Sequence, residues 1–213
     1  MTPEKKIEDD IFESVKCSEL VELGKIATET GIDSLLDNGL LRDIPIINTL
    51  SSLIRTGFQI NDRIFIKKVI KFLLPISKLS DVDRKKMIDR LNSKKEFRNK
   101  VGERLVEILS RIESHKKPTI IGKIFCSYIN EQIDFLVLRK LLFAVERIPY
   151  YEISNLREFQ SKSKENSQNI YDYIDIDLLV SSGFASPISA WDGMLYKPTK
   201  LCNIFLDLEF DKD

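Results

Sequence analysis

A chain of 213 residues, 43% hydrophobic and 31% charged, is long enough to bury a core as one sizeable domain or two small ones. Its 8 glycines and 7 prolines are too few for a protein of many turn-separated strands, so long helices are expected. The longest apolar stretch, 39–54, is interrupted by Arg42, Asp43 and Pro45, which excludes a span of about 20 apolar residues.

The opening, Met1 to Asp10, is polar and charged and has no apolar secretory region. Three cysteines without paired spacing, Cys17, Cys126 and Cys202, fit a reducing compartment with the thiols as small core residues. The protein is therefore expected to be soluble and cytoplasmic.

The first helix is predicted over Ser18 to Leu36, where Leu20, Leu23, Ala27, Ile32 and Leu35 recur at roughly helical spacing. Gly31 kinks it, and Asn38-Gly39 stops it. Asp43 before Ile44-Pro45 starts a buried helix with the proline in its first turn. Asn61-Asp62 offers an N-cap for a helix that Pro75 ends. Ser80-Asp-Val-Asp83 resembles a capping box opening a short basic helix to Leu91. Ser93-Lys-Lys-Glu96 is a second capping box, and behind it Phe97, Val101, Leu105, Ile108 and Ile112 fall on one stripe, predicting a helix over 94–113. After the connector His115-Lys-Lys-Pro118, Thr119 to Ile148 reads as one long or two abutting helices, apolar nearly all round and hence buried. Ser161 to Gln168 is a polar loop, Ile170 to Ser182 a helix closed by Gly183, and Phe184 to Lys197 a small hairpin. Pro198-Thr199 restarts a short helix through Leu206.

The net charge of zero hides a layering. Residues 1–41 carry 4 Lys+Arg against 10 Asp+Glu, residues 42–117 carry 19 against 9, and residues 150–213 carry 6 against 11. The acidic ends can fold onto the basic middle, two copies can pair head to tail, or the middle awaits an anionic partner. The candidate surface for such a partner is Lys67, Lys68, Lys71, Arg84, Lys85, Lys86, Arg90, Lys94, Lys95 and Arg98, spread over three consecutive helices. On one face these would attract phosphate backbones without reading sequence; the plain alternative is the solvated side of amphipathic helices.

Signatures of catalysis or metal binding are missing from the spacing. His115 is the only histidine and lies in a basic connector, so a Ser-His or Cys-His arrangement has little to build on. One histidine and three scattered cysteines do not make a four-ligand zinc site. The carboxylate groups Asp9-Asp10, Asp81/Asp83 and Asp172/Asp175/Asp177 lack a glycine-turned loop to order them around a hard cation, and Gly24, Gly31 and Gly39 are isolated rather than a phosphate loop. No cofactor and no small-molecule substrate is implied. The run Ile44 to Ile54 could lie on a membrane, but it lacks interfacial Lys and Trp and reads more simply as a core helix.

The C-terminal order of helix, helix, helix and hairpin is that of a winged helix. The stretch Leu179-Val-Ser-Ser-Gly-Phe184 and the later Tyr196-Lys-Pro-Thr-Lys-Leu-Cys-Asn-Ile-Phe205 resemble the ending of the Abi-alpha-like group of small bacterial helical proteins linked to abortive phage infection. That group ends in Leu-x-x-Leu-Gly-Leu-Ile, a variable wing, and Tyr-x-Leu-Thr-x-Leu-Gly-x-x-Phe; Pro198 and Cys202 depart from it, and about a fifth of the chain is covered. The resemblance implies a phage-defence setting and carries over no catalytic residues. The third helix of a DNA-reading winged helix normally opens with cations, whereas 169–180 holds Asp172, Asp175 and Asp177 and no Lys or Arg.

The expected architecture is mostly α: a multi-helix bundle followed by a small winged-helix-like α+β module, with 1–117 a helical region with a basic middle and 118–213 a buried helix plus the winged-helix-like module, the two able to pack as one domain. The expected function is a non-enzymatic interaction or regulatory protein acting through protein contacts or self-association. Sequence-non-specific nucleic-acid binding through 63–100 is the alternative, and a membrane-acting effector through 44–54 a second.

Overall fold

The computed structural model describes residues 3–37, 43–55, 61–92, 95–163, 174–190 and 193–212. The chain is mostly helical with one small antiparallel sheet and divides into two compact units, 1–130 and 131–213.

The first unit holds α1 (Pro3–Lys16), α2 (Glu19–Asp37), α3 (Pro45–Arg55), α4 (Asn61–Ser77), α5 (Asp81–Asn92), α6 (Lys95–Arg111) and α7 (Lys117–Ile129). α1 lies outside the helices expected from the sequence, where the chain's opening, Met1 to Asp10, reads as polar and charged. Its signal is nonetheless present: Ile7, Ile11 and Val15 recur every four residues, and Ile11, Phe12 and Val15 are buried. On the same helix Ser14 accepts the Ile46 N–H at 2.9 Å, and Asp10 accepts the Thr49 hydroxyl at 2.6 Å. Those two bonds clip α3 to α1, and Ile44, Ile46, Ile47 and Leu50 are buried.

Gly31 kinks α2 as expected, with φ 79, a left-handed conformation costly to residues with a Cβ. Pro45 opens α3. Pro75 does not end α4, which runs on to Ser77. A proline in the last turn removes a single intrahelical hydrogen bond, and the turn is held from outside by α7. Ser80 caps α5 as predicted: it accepts the Asp83 N–H at 3.2 Å and donates to the Asp83 carboxylate at 2.6 Å. The α6 stripe is buried at Val101, Leu105 and Ile108, and Ile112 continues it beyond the helix. The predicted stop at Asn38-Gly39 and the capping residues Ser93 and Lys94 lie outside the described residues.

The helices α4 and α7 approach closely. A Cβ on Gly122 would stand 2.3 Å from the Phe72 carbonyl oxygen and 3.0 Å from Pro75 Cγ. Phe72 and Phe125 meet edge to face across the same seam, ring centroids 5.5 Å apart, a favoured aromatic geometry.

The segment Thr119 to Ile148 is two helices, α7 and α8 (Phe135–Arg147). Asp134 starts the second by accepting the Val137 N–H at 2.8 Å. The second unit comprises α8, α9 (Tyr150–Lys162), α10 (Ile176–Ser182), β1 (Ala185–Ala190), β2 (Gly193–Pro198) and α11 (Lys200–Asp207). The periodicity reading leaves out α9. The helix expected over 170–182 starts at Ile176, with Asp175 as its N-cap accepting the Leu178 N–H at 3.2 Å. Gly183 closes it in the left-handed region, φ 84. Pro187 sits inside β1 opposite Tyr196, a place open to proline in a two-stranded ribbon, where both strands are edges.

Side-chain bonds from neighbouring elements hold this unit. The buried Glu152 of α9 accepts the Asp175 N–H at 3.3 Å, just ahead of α10. Thr199 donates to the Gly183 carbonyl at 2.7 Å and caps α11 by accepting the Cys202 N–H at 3.2 Å. Phe205 lies between Phe184 and Phe210 at 5.1 and 5.6 Å. Arg157 donates to the Leu206 carbonyl at 3.1 Å and to Asp211 at 2.8 Å, tying α9 to the chain end.

Gly122→Ala is expected to destabilise the protein by about 1–3 kcal/mol, the usual magnitude of overpacking a tight site. A lower urea midpoint with an unchanged slope checks this; an unchanged midpoint would mean that the two helices separate freely.

Candidate functional site

Among the described residues, the candidate cations of the basic helices divide between the interior and the surface. Lys68 is buried, and its ammonium donates to the Ser110 carbonyl at 3.2 Å, linking α4 to the end of α6. Burial pushes its pKa down, with Glu113 opposing. Lys67 and Lys71 are half-buried and engaged. Arg84 is wholly buried, paired through one nitrogen with Asp81. Its Nε and Nη1 have no hydrogen-bond partner among the described residues. Lys85 and Lys86 are exposed. The side chains of Arg90, Lys95 and Arg98, and all of Lys94, lie outside the described residues. Two of the ten candidate cations, Lys68 and Arg84, are therefore turned to the interior.

Four of the carboxylates singled out from the sequence have structural partners. Asp10 holds Thr49, Asp81 holds Arg84, Asp83 completes the Ser80 cap and Asp175 caps α10. Asp172 lies outside the described residues. Among the described residues no group of three or more His, Cys, Asp or Glu could hold a metal ion, and His115 is exposed between α6 and α7. The thiols are held protonated: burial pushes Cys126 and Cys202 up to about 12, and burial together with the Glu19 carboxylate pushes Cys17 up to about 11.

The most distinctive exposed surface lies where the sequence predicts a buried spine. In α8, Leu138, Leu141, Leu142, Ala144 and Val145 are buried, but Leu136 is 57% and Phe143 42% exposed. Arg139, Lys140 and Arg147 are exposed beside them. These five positions fall within about 100° of arc on a helix of 3.6 residues per turn. The Arg147 guanidinium stacks over the Phe143 ring at 4.4 Å, and that of Arg139 lies 5.8 Å from the Phe135 ring, contacts that restrict where the two cations point. None of the three cations forms an ion pair among the described residues. The spacing 136, 139/140, 143, 147 is the signal that would have shown this face; the density of leucines on the opposite side hides it.

No family model, curated protein or solved structure matches the chain.

Two outcomes follow from the buried groups. Replacing Arg84 by Met is expected to leave thermal stability unchanged or higher, since an apolar side chain of similar volume removes two unsatisfied donors. Asp81→Asn is expected to lower stability by about 1–3 kcal/mol by leaving the buried guanidinium unpaired. Loss of melting temperature in Arg84→Met alone would show that the guanidinium is satisfied in solution. Separately, the native thiols are expected to react with a disulfide reagent at pH 8 at least about tenfold more slowly than in denaturant, because only the thiolate attacks. Equal rates would contradict the burial assigned to Cys126 and Cys202.

Proposed function

We propose that the chain is a non-enzymatic interaction protein of the bacterial cytoplasm, acting through protein contacts, with 131–213 as a winged-helix-like docking module. The observation that carries this reading is the chemistry of α10, the third helix of that unit. Its N-cap Asp175 and its first-turn Asp177 are exposed, and the helix has no Lys or Arg. A helix entering a nucleic-acid groove meets phosphates at its first turn, where these carboxylates repel them. The helix, helix, helix, hairpin order of the unit supports the winged-helix comparison. The resemblance of its ending to Abi-alpha-like proteins supports a phage-defence setting.

The absence of an enzyme's machinery is part of the proposal. The thiols are protonated, the sole histidine stands in an exposed connector, and Asp10, Asp81, Asp83 and Asp175 are engaged as caps or pairs. Nucleic-acid binding through 63–100 is disfavoured by the inward placement of Lys68 and Arg84. A membrane role for 44–54 is disfavoured because its apolar residues Ile44, Ile46, Ile47 and Leu50 are buried; no described helix is long and apolar enough to cross a membrane.

Fluorescence anisotropy of a labelled non-specific duplex, titrated with the protein across a salt series, tests the reading. No binding at micromolar protein in about 50 mM salt is expected. Binding that collapses between about 50 and 200 mM salt and falls on Lys85→Glu/Lys86→Glu would transfer the function to the basic helices.

A further inference from the structure

We propose that the outer face of α8, formed by Leu136, Arg139, Lys140, Phe143 and Arg147, docks an acidic amphipathic helix of a protein partner. This deepens the protein-contact reading above and rests on it.

Three observations select that occupant. Leu136 and Phe143 protrude seven residues apart, about 10.5 Å along the axis, the spacing at which one helix offers successive apolar knobs to another. Arg139 and Arg147 stand eight residues apart, about 12 Å, beside those knobs. Carboxylates seven or eight residues apart on a facing helix have nearly the same separation. Finally, the three cations lack acidic partners among the described residues, so an acidic occupant adds ion pairs without displacing existing ones. The stacked guanidiniums of Arg139 and Arg147 are already restricted, which lowers the ordering cost of bidentate carboxylate contacts.

Other anionic partners fit less well. Single-stranded nucleic acid is bound by stacking bases on open aromatic faces, but Arg147 covers the Phe143 ring at 4.4 Å. An anionic membrane needs a broader apolar face than two protruding side chains.

The test uses the full chain and a synthetic 21-residue helical peptide with Leu at heptad a and d positions and Glu at e and g. Its controls are a scrambled peptide of the same composition, a labelled single-stranded oligonucleotide, and vesicles containing phosphatidylserine. Fluorescence anisotropy is expected to show binding of the patterned peptide, weakened at least about tenfold by scrambling, by Arg139→Glu/Arg147→Glu, and by Leu136→Ser/Phe143→Ser. Lys85→Glu/Lys86→Glu is expected to bind as the parent does. The substituted side chains are exposed, and circular dichroism checks that the variants keep their helix content. Equal binding of the scrambled peptide, indifference to the α8 substitutions, or tighter α8-dependent binding of the oligonucleotide or vesicles would each overturn the proposal. If the patterned peptide fails while the duplex experiment also shows no binding, the α8 assignment falls and the protein-contact reading stands.

Discussion

The first unit depends on how closely α4 and α7 approach at Gly122. With no side chain there, the α7 backbone comes to within contact of the Phe72 carbonyl and the Pro75 ring. That approach brings Phe72 and Phe125 edge to face and lets the last turn of α4 continue past a proline that would otherwise end it. The packing of α2 on α4 uses the same device, since a Cβ on Gly24 would meet Ser77 Oγ at 2.3 Å. The end of α4 is thus enclosed by two helices that each approach it through a glycine, and the buried residues of α4, from Ile66 to Ile76, lie at the middle of this core.

Around that apolar centre the unit places charge inside as well as out. Lys68 reaches the carbonyl end of α6, and Arg84 is enclosed with one of its nitrogens on Asp81. A buried cation without full pairing is weak ground for stability, but it removes charge from the surface that a count of lysines and arginines assigns to it. The excess of positive charge in 42–117 therefore overstates the cationic surface available to an anionic partner.

The second unit is organised by polar bonds at the ends of its elements. Glu152 holds the chain entering α10, Thr199 joins the end of α10 to the start of α11, and Arg157 ties α9 to the C-terminal turn. With the phenylalanines of 184, 205 and 210 packed together, this frame leaves two exposed features of opposite charge: Asp175 and Asp177 at the start of α10 and a cationic, partly apolar face along α8.

Much of the helix framework could be read from the chain, because local chemistry decides where helices begin and end. Ser80, Gly31, Gly183 and Thr199 act through bonds and backbone conformations within a few residues of themselves, and each was recognisable without its surroundings. The amphipathic stripe of α6 likewise depends only on a 3.6-residue period. Pro75 shows where local rules stop: whether a helix passes a proline depends on what packs against the turn, and α7 comes from more than forty residues away in the chain. The burial of Lys68 and Arg84 is invisible in the sequence for the same reason. Composition says that leucine is usually buried and lysine usually exposed, but only the packing of distant helices decides which side of a given helix faces water.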